Sequence, residues 1–129
     1  MTDKEIKQLI SNTVNETITQ LKAAGLLRDD TKTPYQKTEE LLRQYPALKK
    51  ASTPYARKVV AEIDRLLAEA KNEPYLDVIH LYYFGGLKNA ACAKTLACGE
   101  RTARRYRVKL VEQFSTRLAS DEFIRELLT

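Results

Sequence analysis

Apolar residues recur three or four positions apart along most of the chain, which is the spacing of one face of a helix. Thr2 and Glu5 have the spacing of a capping box, and a first apolar run follows them. Its positions are Ile6, Ile10, Val14, Ile18 and Leu21. We predict a first helix over this run, ended at Gly25 and followed by a polar connector from Arg28 to Thr33.

Two further helices are predicted to begin at Thr-Pro pairs. Thr33 is placed to cap the second helix, with Pro34 at its first position and Gln36 three residues after the cap. Its apolar face is Tyr35, Thr38, Leu41, Leu42 and Tyr45, and we expect Pro46 to end it. The pair at 53–54 begins a third helix, whose face is Val59, Val60, Ile63, Leu66, Leu67 and Ala70.

The chain restarts at Asn72-Glu73-Pro74 with an aromatic helix. Its face is Tyr75, Val78, Ile79, Tyr82 and Tyr83, and Gly85-Gly86 is expected to end it. No segment alternates apolar and polar residues for long enough to predict a strand, so we predict an all-α fold. The organisation that we predict is an N-terminal helical region over residues 1–71 and a C-terminal domain over residues 72–129.

The two cysteines, Cys92 and Cys98, do not have the spacing of a zinc site. Such a site needs about four ligands, commonly in closer pairs, and His80 is the one histidine of the chain. No base accompanies either thiol for catalysis. We therefore expect no metal and no cofactor. Free thiols and the lack of a secretory pattern or a long apolar stretch favour a cytoplasmic protein that does not span a membrane.

The cysteines fit instead into a helix-turn-helix pattern. Ala93 takes the small position of a first helix, where a second helix crosses closely, and Cys92 and Leu96 point inward beside it. The turn is Ala97-Cys98-Gly99, with Cys98 turned inward and Gly99 expected to relieve the backbone. The inward positions of the second helix are predicted to be Ala103, Tyr106 and Leu110.

Positive charge is concentrated in this same segment. The chain carries a net charge of +5, whereas residues 86–117 hold eight basic and two acidic side chains, which leaves −1 for all other residues. Arg101 and Arg105 point away from the predicted inward face. On the outward face of such a helix, an arginine can pair with guanine in the DNA major groove. The surface that we predict to bind DNA comprises Lys88, Lys94, Arg101, Thr102, Arg104, Arg105 and Lys109.

The segment HLYYFGGLKNAACAKTLACGERTARRYRVKL resembles the last conserved region of bacterial sigma factors, region 4, which reads the promoter −35 element. The matching positions are Leu87, Ala93, Leu96, Thr102 and Arg104. Lys88 and Gly99 depart from the usual threonine and serine at the helix starts. Ala91 and Cys92 depart from the usual glutamate and isoleucine. These differences bear on helix capping rather than on register.

The upstream sequence YQKTEELLRQYPALKKA, taken with EPYLDVIHLYYFGG, resembles the ArpU-type phage regulators and, more loosely, the RinA-type ones. The residues that carry this likeness are Tyr35, Lys37, Thr38, Glu39, Leu41, Leu42 and Tyr45. The resemblance covers roughly residues 30 to 118. It implies control of late phage or prophage genes in Gram-positive hosts.

The function that we predict is therefore sequence-specific binding of double-stranded DNA by a transcriptional regulator. One alternative is a phage DNA-packaging adaptor of the small-terminase kind, and another is a sigma-like module that contacts RNA polymerase. No set of residues suggests an enzyme, because neither a catalytic triad nor a phosphate loop can be assembled. The oligomeric state stays open, a dimer included.

Overall fold

The computed structural model describes residues 2–7 and 31–128, and within these ranges it contains helices and no strand. The all-α prediction is thus confirmed for this part of the chain. A short helical stretch covers residues 3–7. The later elements are α1 (Pro34–Lys50), α2 (Pro54–Glu69), α3 (Asp77–Ile79), a π-helical turn (His80–Phe84), α4 (Asn89–Thr95), α5 (Glu100–Leu118) and α6 (Asp121–Leu128).

The predicted capping box at the start of the chain is present. The backbone N–H of Glu5 donates to Thr2 Oγ1, and the N–H of Thr2 donates to Glu5 Oε2, each with a donor–acceptor distance of 3.2 Å. Ile6, the first apolar position of the predicted run, is exposed. The rest of that run, Gly25 and positions 28–30 of the connector lie outside the described residues.

α1 begins as predicted but ends later. Thr33 and Gln36 form the capping box, with the Gln36 N–H 3.1 Å from Thr33 Oγ1. The expectation that Pro46 ends this helix is wrong, because α1 continues to Lys50. Proline removes one helical hydrogen bond. The side chains on either side of it, Tyr45 and Leu48, are both buried, and this burial holds the helical path through the proline.

α2 follows its prediction closely. Thr53 accepts a hydrogen bond from the N–H of Ala56, and the apolar stripe lies against the core with Val59 and Ile63 fully buried. The phenol of Tyr45 on α1 donates to Asp64 of α2. Burial, together with this carboxylate, raises the pKa of Tyr45 to about 12.

The aromatic helix is shorter and less regular than the sequence pattern predicts. Tyr75 has a φ of 61°, so the helix begins only after it, at Asp77. After three residues the backbone widens into the π turn, which the Gly85 N–H closes on the carbonyl of His80 at 2.8 Å. A Cβ at position 85 would lie 2.9 Å from the carbonyl oxygen of Leu81, so only glycine fits there.

One hydrophobic core holds these elements together. It contains Leu42 and Ile63 from the first predicted region and Leu110 and Phe114 from the second. α1 contacts α2 on one side and the π turn and α5 on the other. The boundary after residue 71 stays a prediction, and the core is shared by residues from both sides of it.

Candidate nucleic-acid interface

α4 places its small and apolar side chains inward as predicted. Cys92 and Ala93 are buried, and Leu96 packs against the core at the end of the helix. Ala103 of α5 is buried as well. Small residues on both helices let the two backbones approach, which is why α5 can follow α4 after a turn of only four residues.

The turn between α4 and α5 differs from its prediction in one respect. The residue with a left-handed backbone is Ala97, with a φ of 54°. Gly99 has a φ of −76° and a Cβ there would meet nothing within 4 Å, so the expected role of Gly99 is wrong. The N–H of Cys98 bonds the carbonyl of Ala93, and the N–H of Ala97 bonds that of Lys94. This pair of bonds is a Schellman motif, which requires its left-handed residue at position 97.

The two helix starts lack side-chain caps, in keeping with the departures from the sigma-factor pattern. Neither Lys88 before α4 nor Gly99 before α5 offers a capping side chain that bonds the helix. Glu100 gives α5 one acidic residue in its first turn, which is favourable at a helix N-terminus. The register of α5 is therefore set by the Schellman turn and by core packing.

The inward face of α5 includes an arginine that the sequence prediction did not place there. Ala103 and Leu110 are buried as expected, whereas Tyr106 is only half-buried, with its ring 5.0 Å from that of Tyr75. Arg107 is buried instead, with 7% of its surface exposed. Positions 103, 107, 110 and 114 have the spacing of one helix face, so the sequence held a signal for this burial. We missed it because the apolar stripe was traced through apolar residues alone.

Arg107 joins α5 to α1 through a buried polar network. Its Nη1 lies 3.2 Å from the hydroxyl of Tyr83 and 3.5 Å from Glu39 Oε2. The Tyr83 hydroxyl in turn donates to Glu39 Oε2 at 2.8 Å. The guanidinium also stacks over the ring of Tyr82, 4.0 Å from its centroid. Burial raises the pKa of Tyr83, so its hydroxyl keeps the proton that it donates to Glu39.

A second network of ion pairs holds the C-terminal end of α5. Arg117 Nε lies 2.8 Å from Glu62 of α2, and its Nη2 lies 2.9 Å from Glu126 of α6. The guanidinium also lies 5.0 Å from the ring centroid of Phe123. The middle and the C-terminal end of α5 are thus held by carboxylates of neighbouring helices.

The arginines of the predicted DNA-binding surface lie on the opposite face of α5. Arg101, Arg104 and Arg105 are exposed, and no carboxylate among the described residues pairs with any of them. The guanidinium of Arg105 lies 5.8 Å from the ring centroid of Tyr106. These three side chains therefore present their charges to solvent along the first half of the helix.

The other predicted surface residues are placed less uniformly. Lys88 and Lys94 are exposed at the start and near the end of α4, and Thr102 is half-buried. Lys109 is exposed but lies 3.7 Å from Glu73, so part of its charge is already compensated. The structure thus brings six cations to the neighbourhood of α4 and the exposed face of α5.

The thiols and the histidine do not form a site. Cys92 is buried with its Sγ 3.7 Å from the carbonyl oxygen of Leu87, and burial raises the pKa of its thiol. Cys98 packs against the core as an unpaired thiol. His80 is exposed, its ring against that of Phe84. In the ranges 2–7 and 31–128 no three metal-ligating side chains are grouped to hold an ion, and no helix there is long and apolar enough to cross a membrane.

An open cleft of about 680 Å³ lies beside the start of α5. It is bounded by α1, the π turn, the start of α4 and the first residue of α5. The residues that line it are Arg43, Tyr82, Tyr83, Gly86, Leu87, Lys88, Asn89, Ala90 and Glu100.

Compared with known proteins, the chain matches no family model, and no curated protein or solved structure shows significant similarity to it.

Proposed function

We propose that this protein is a transcriptional regulator that binds double-stranded DNA in a sequence-specific manner. In this proposal α4 and α5 are a helix-turn-helix of the sigma region 4 kind, and α5 is the recognition helix. The observation that carries it is the set of exposed arginines on the first half of α5, opposite the buried stripe through Ala103 and Leu110, which pair with no carboxylate among the residues that the structure describes.

The chemistry of these arginines suits the edges of base pairs. A helix of this size fits the major groove, and its N-terminal half is the part that reaches base edges in a helix-turn-helix. Arg101 and Arg105 are one helical turn apart, so both can face the floor of the groove at once. An arginine that is not bonded to a carboxylate keeps its donors for the two acceptors of guanine.

The lysines suit the phosphate backbone. Lys94 is exposed on α4 and Lys88 directly before its first residue, and in this arrangement α4 crosses the edge of the groove. A compact ammonium on a flexible stem contacts phosphate without reading sequence. Arg104 and Lys109 flank the reading face and complete this set.

The resemblance to ArpU-type regulators supports a role in late gene control in phages or prophages of Gram-positive hosts. The resemblance of the α4–α5 segment to sigma region 4 supports promoter DNA as the target and extends the proposal to a contact with RNA polymerase. We propose a cytoplasmic binding protein without enzymatic activity. A stable ring of many subunits in solution would instead support the packaging adaptor of the small-terminase kind, whereas a monomer or dimer supports the regulator.

Selection of bound sequences from random duplex DNA tests this function directly. A regulator should enrich one short sequence, and affinity for that sequence should fall steeply with salt. The four cations assigned to phosphates, Lys88, Lys94, Arg104 and Lys109, would give a slope of log K against log salt of about −3.6 if each neutralised one phosphate. No enrichment together with a flat salt response would overturn the proposal.

A further inference from the structure

The cleft beside the start of α5 brings α1 to the edge of the predicted DNA surface. Arg43 projects from α1 on one side, and Lys88 lies at the start of α4. Glu100, the first residue of α5, lines the same cleft, so the cleft is continuous with the helix that we propose reads DNA. Its lining therefore combines two cations from different parts of the chain with one carboxylate.

Arg43 is held at this cleft but is not committed to a strong partner. Its Nη1 lies 2.9 Å from Glu40 and its Nη2 lies 3.5 Å from Glu39. Both pairs are local to α1, and the arginine side chain is 45% exposed, so each contributes little. The guanidinium also lies over the ring of Tyr83, 5.6 Å from its centroid. A phosphate could take over these hydrogen bonds at small cost.

We propose that this cleft binds the phosphate backbone of DNA next to the segment that α5 reads, with Arg43 and Lys88 as its cationic contacts. The inference rests on the proposed function. A phosphodiester fits because the cleft is open, is lined by two cations and one carboxylate, and reaches the first residue of α5. The N-terminal region then belongs to the DNA interface, and α1 lengthens the footprint of the protein.

Glu100 gives this arrangement a sign that can be tested. Its carboxylate repels a phosphate in the cleft, so the strand should lie on the side of Arg43 and Lys88. The substitution Glu100→Gln removes the repulsion and keeps the size of the side chain. We expect it to strengthen binding to duplex DNA of any sequence, and weaker or unchanged binding would count against a phosphate in this cleft.

Arg65 on α2 supplies a matched control for Arg43. It is 48% exposed and pairs with two glutamates of its own helix, Glu62 and Glu69, but it does not line this cleft. On a selected duplex with a full helical turn of flanking DNA on each side, we expect Arg43→Ala to lower affinity about two- to fivefold. The salt slope should shrink by about 0.9. Arg65→Ala should change neither quantity, and Arg43→Lys should restore most of the affinity.

Uncharged methylphosphonate linkages then locate the contact. Each flanking phosphate of the selected duplex is replaced in turn, and binding is measured for the intact protein and for Arg43→Ala. For the intact protein, one or two flanking positions should weaken binding. For Arg43→Ala, the same positions should weaken binding less than they do for the intact protein, because only Lys88 is left to meet them.

The outcomes separate this inference from the proposed function. If the intact protein binds duplex DNA but Arg43→Ala behaves like Arg65→Ala, the inference is wrong and the function stands. If the flanking positions weaken Arg43→Ala as much as the intact protein, the inference is likewise wrong. If the intact protein binds no duplex at all, both fail together. Urea unfolding of the two variants, expected to match within about 0.5 kcal/mol, excludes loss of folding as the cause.

Discussion

The arginines of α5 fall into two groups that differ in whether they meet a carboxylate of another helix. The outer arginines, Arg101, Arg104 and Arg105, are exposed and meet no carboxylate among the described residues. The inner arginines, Arg107 and Arg117, reach carboxylates on other helices, 3.5 Å and 2.8 Å away. The arginines of one helix thus differ in role: those that meet a carboxylate join α5 to other helices, and the others present their charge to solvent.

This difference corrects the argument from charge. Residues 86–117 carry a net charge of +6. However, the two inner arginines form ion pairs with carboxylates of other helices, and Lys109 forms one with Glu73. In the proposed function, the cations that contact DNA are the exposed ones that pair with no carboxylate in the described part of the chain, and these lie beside α4 and on the first half of α5. The net charge therefore identifies residues 86–117 as the basic segment, and the ion pairs of each basic side chain identify which of its charges are exposed to solvent.

The largest expected effect is that of removing an inner arginine on stability. Arg107→Ala leaves Glu39 and the Tyr83 hydroxyl without their buried cation and empties the space over the Tyr82 ring. Breaking a buried ion pair by removing one partner typically costs about 3–5 kcal/mol. Urea unfolding measures the change, with Arg104→Ala as the control expected to lie within about 0.5 kcal/mol of the intact protein. Equal free energies of unfolding for Arg107→Ala and Arg104→Ala would show that the inner and outer arginines do not differ in their contribution to stability.

The next effect is that of removing an outer arginine on binding. Arg101→Ala or Arg105→Ala should cost about 1–3 kcal/mol on the selected sequence and relax the choice of base at one position, with folding unchanged. Lys94→Ala should weaken all sequences alike and reduce the salt slope by about one. Binding curves on selected and random duplexes measure the contrast. Equal losses on both duplexes for Arg105→Ala would show that α5 does not read bases.

The three helix starts that are capped by threonine could be predicted from the sequence because such caps are local. A threonine accepts a hydrogen bond from an N–H three residues later, and this holds for Thr2, Thr33 and Thr53 whatever the rest of the chain does. The buried stripe of α2 was also readable, since every member is apolar. The all-α class follows from the same two signals.

The remaining features depend on contacts between distant segments. Pro46 does not end α1 because the flanking side chains are buried by other helices, and a local rule for proline cannot include that burial. The left-handed residue of the turn is Ala97 rather than the nearby glycine, because the Schellman bonds fix its position relative to α4. Arg107 was not assigned to the inward face because only apolar residues were traced along it, and its partner Glu39 lies 68 positions earlier in the chain.

A smaller effect should follow from removing the hydroxyl that Arg107 shares with Glu39. Tyr83→Phe keeps the ring against Tyr82 and Arg43 but deletes a donor to Glu39 and an acceptor for Arg107. Hydrogen bonds to charged groups are worth about 1.5–3 kcal/mol, and Glu39 and Arg107 still attract each other, so we expect a loss near 1.5 kcal/mol in urea unfolding. A loss as large as that of Arg107→Ala would mean that the hydroxyl, not the ion pair, joins the two helices.

The smallest effect should come from the more exposed of the inner arginines. Arg117 is 26% exposed, so Arg117→Ala should cost about 1 kcal/mol near neutral pH, well below Arg107→Ala. The hydrogen bond from Arg65 holds the pKa of Glu62 below its ordinary value, and Arg117 adds to that effect. A lowered pKa contributes stability above the ordinary value and loses it as pH falls through the folded value. The stability gap between the intact protein and Arg117→Ala should therefore narrow as the pH falls below the ordinary glutamate value of about 4.5. Urea unfolding at neutral and at acidic pH measures this gap, and a gap that stays constant would show that Arg117 acts through packing on Phe123 rather than through Glu62.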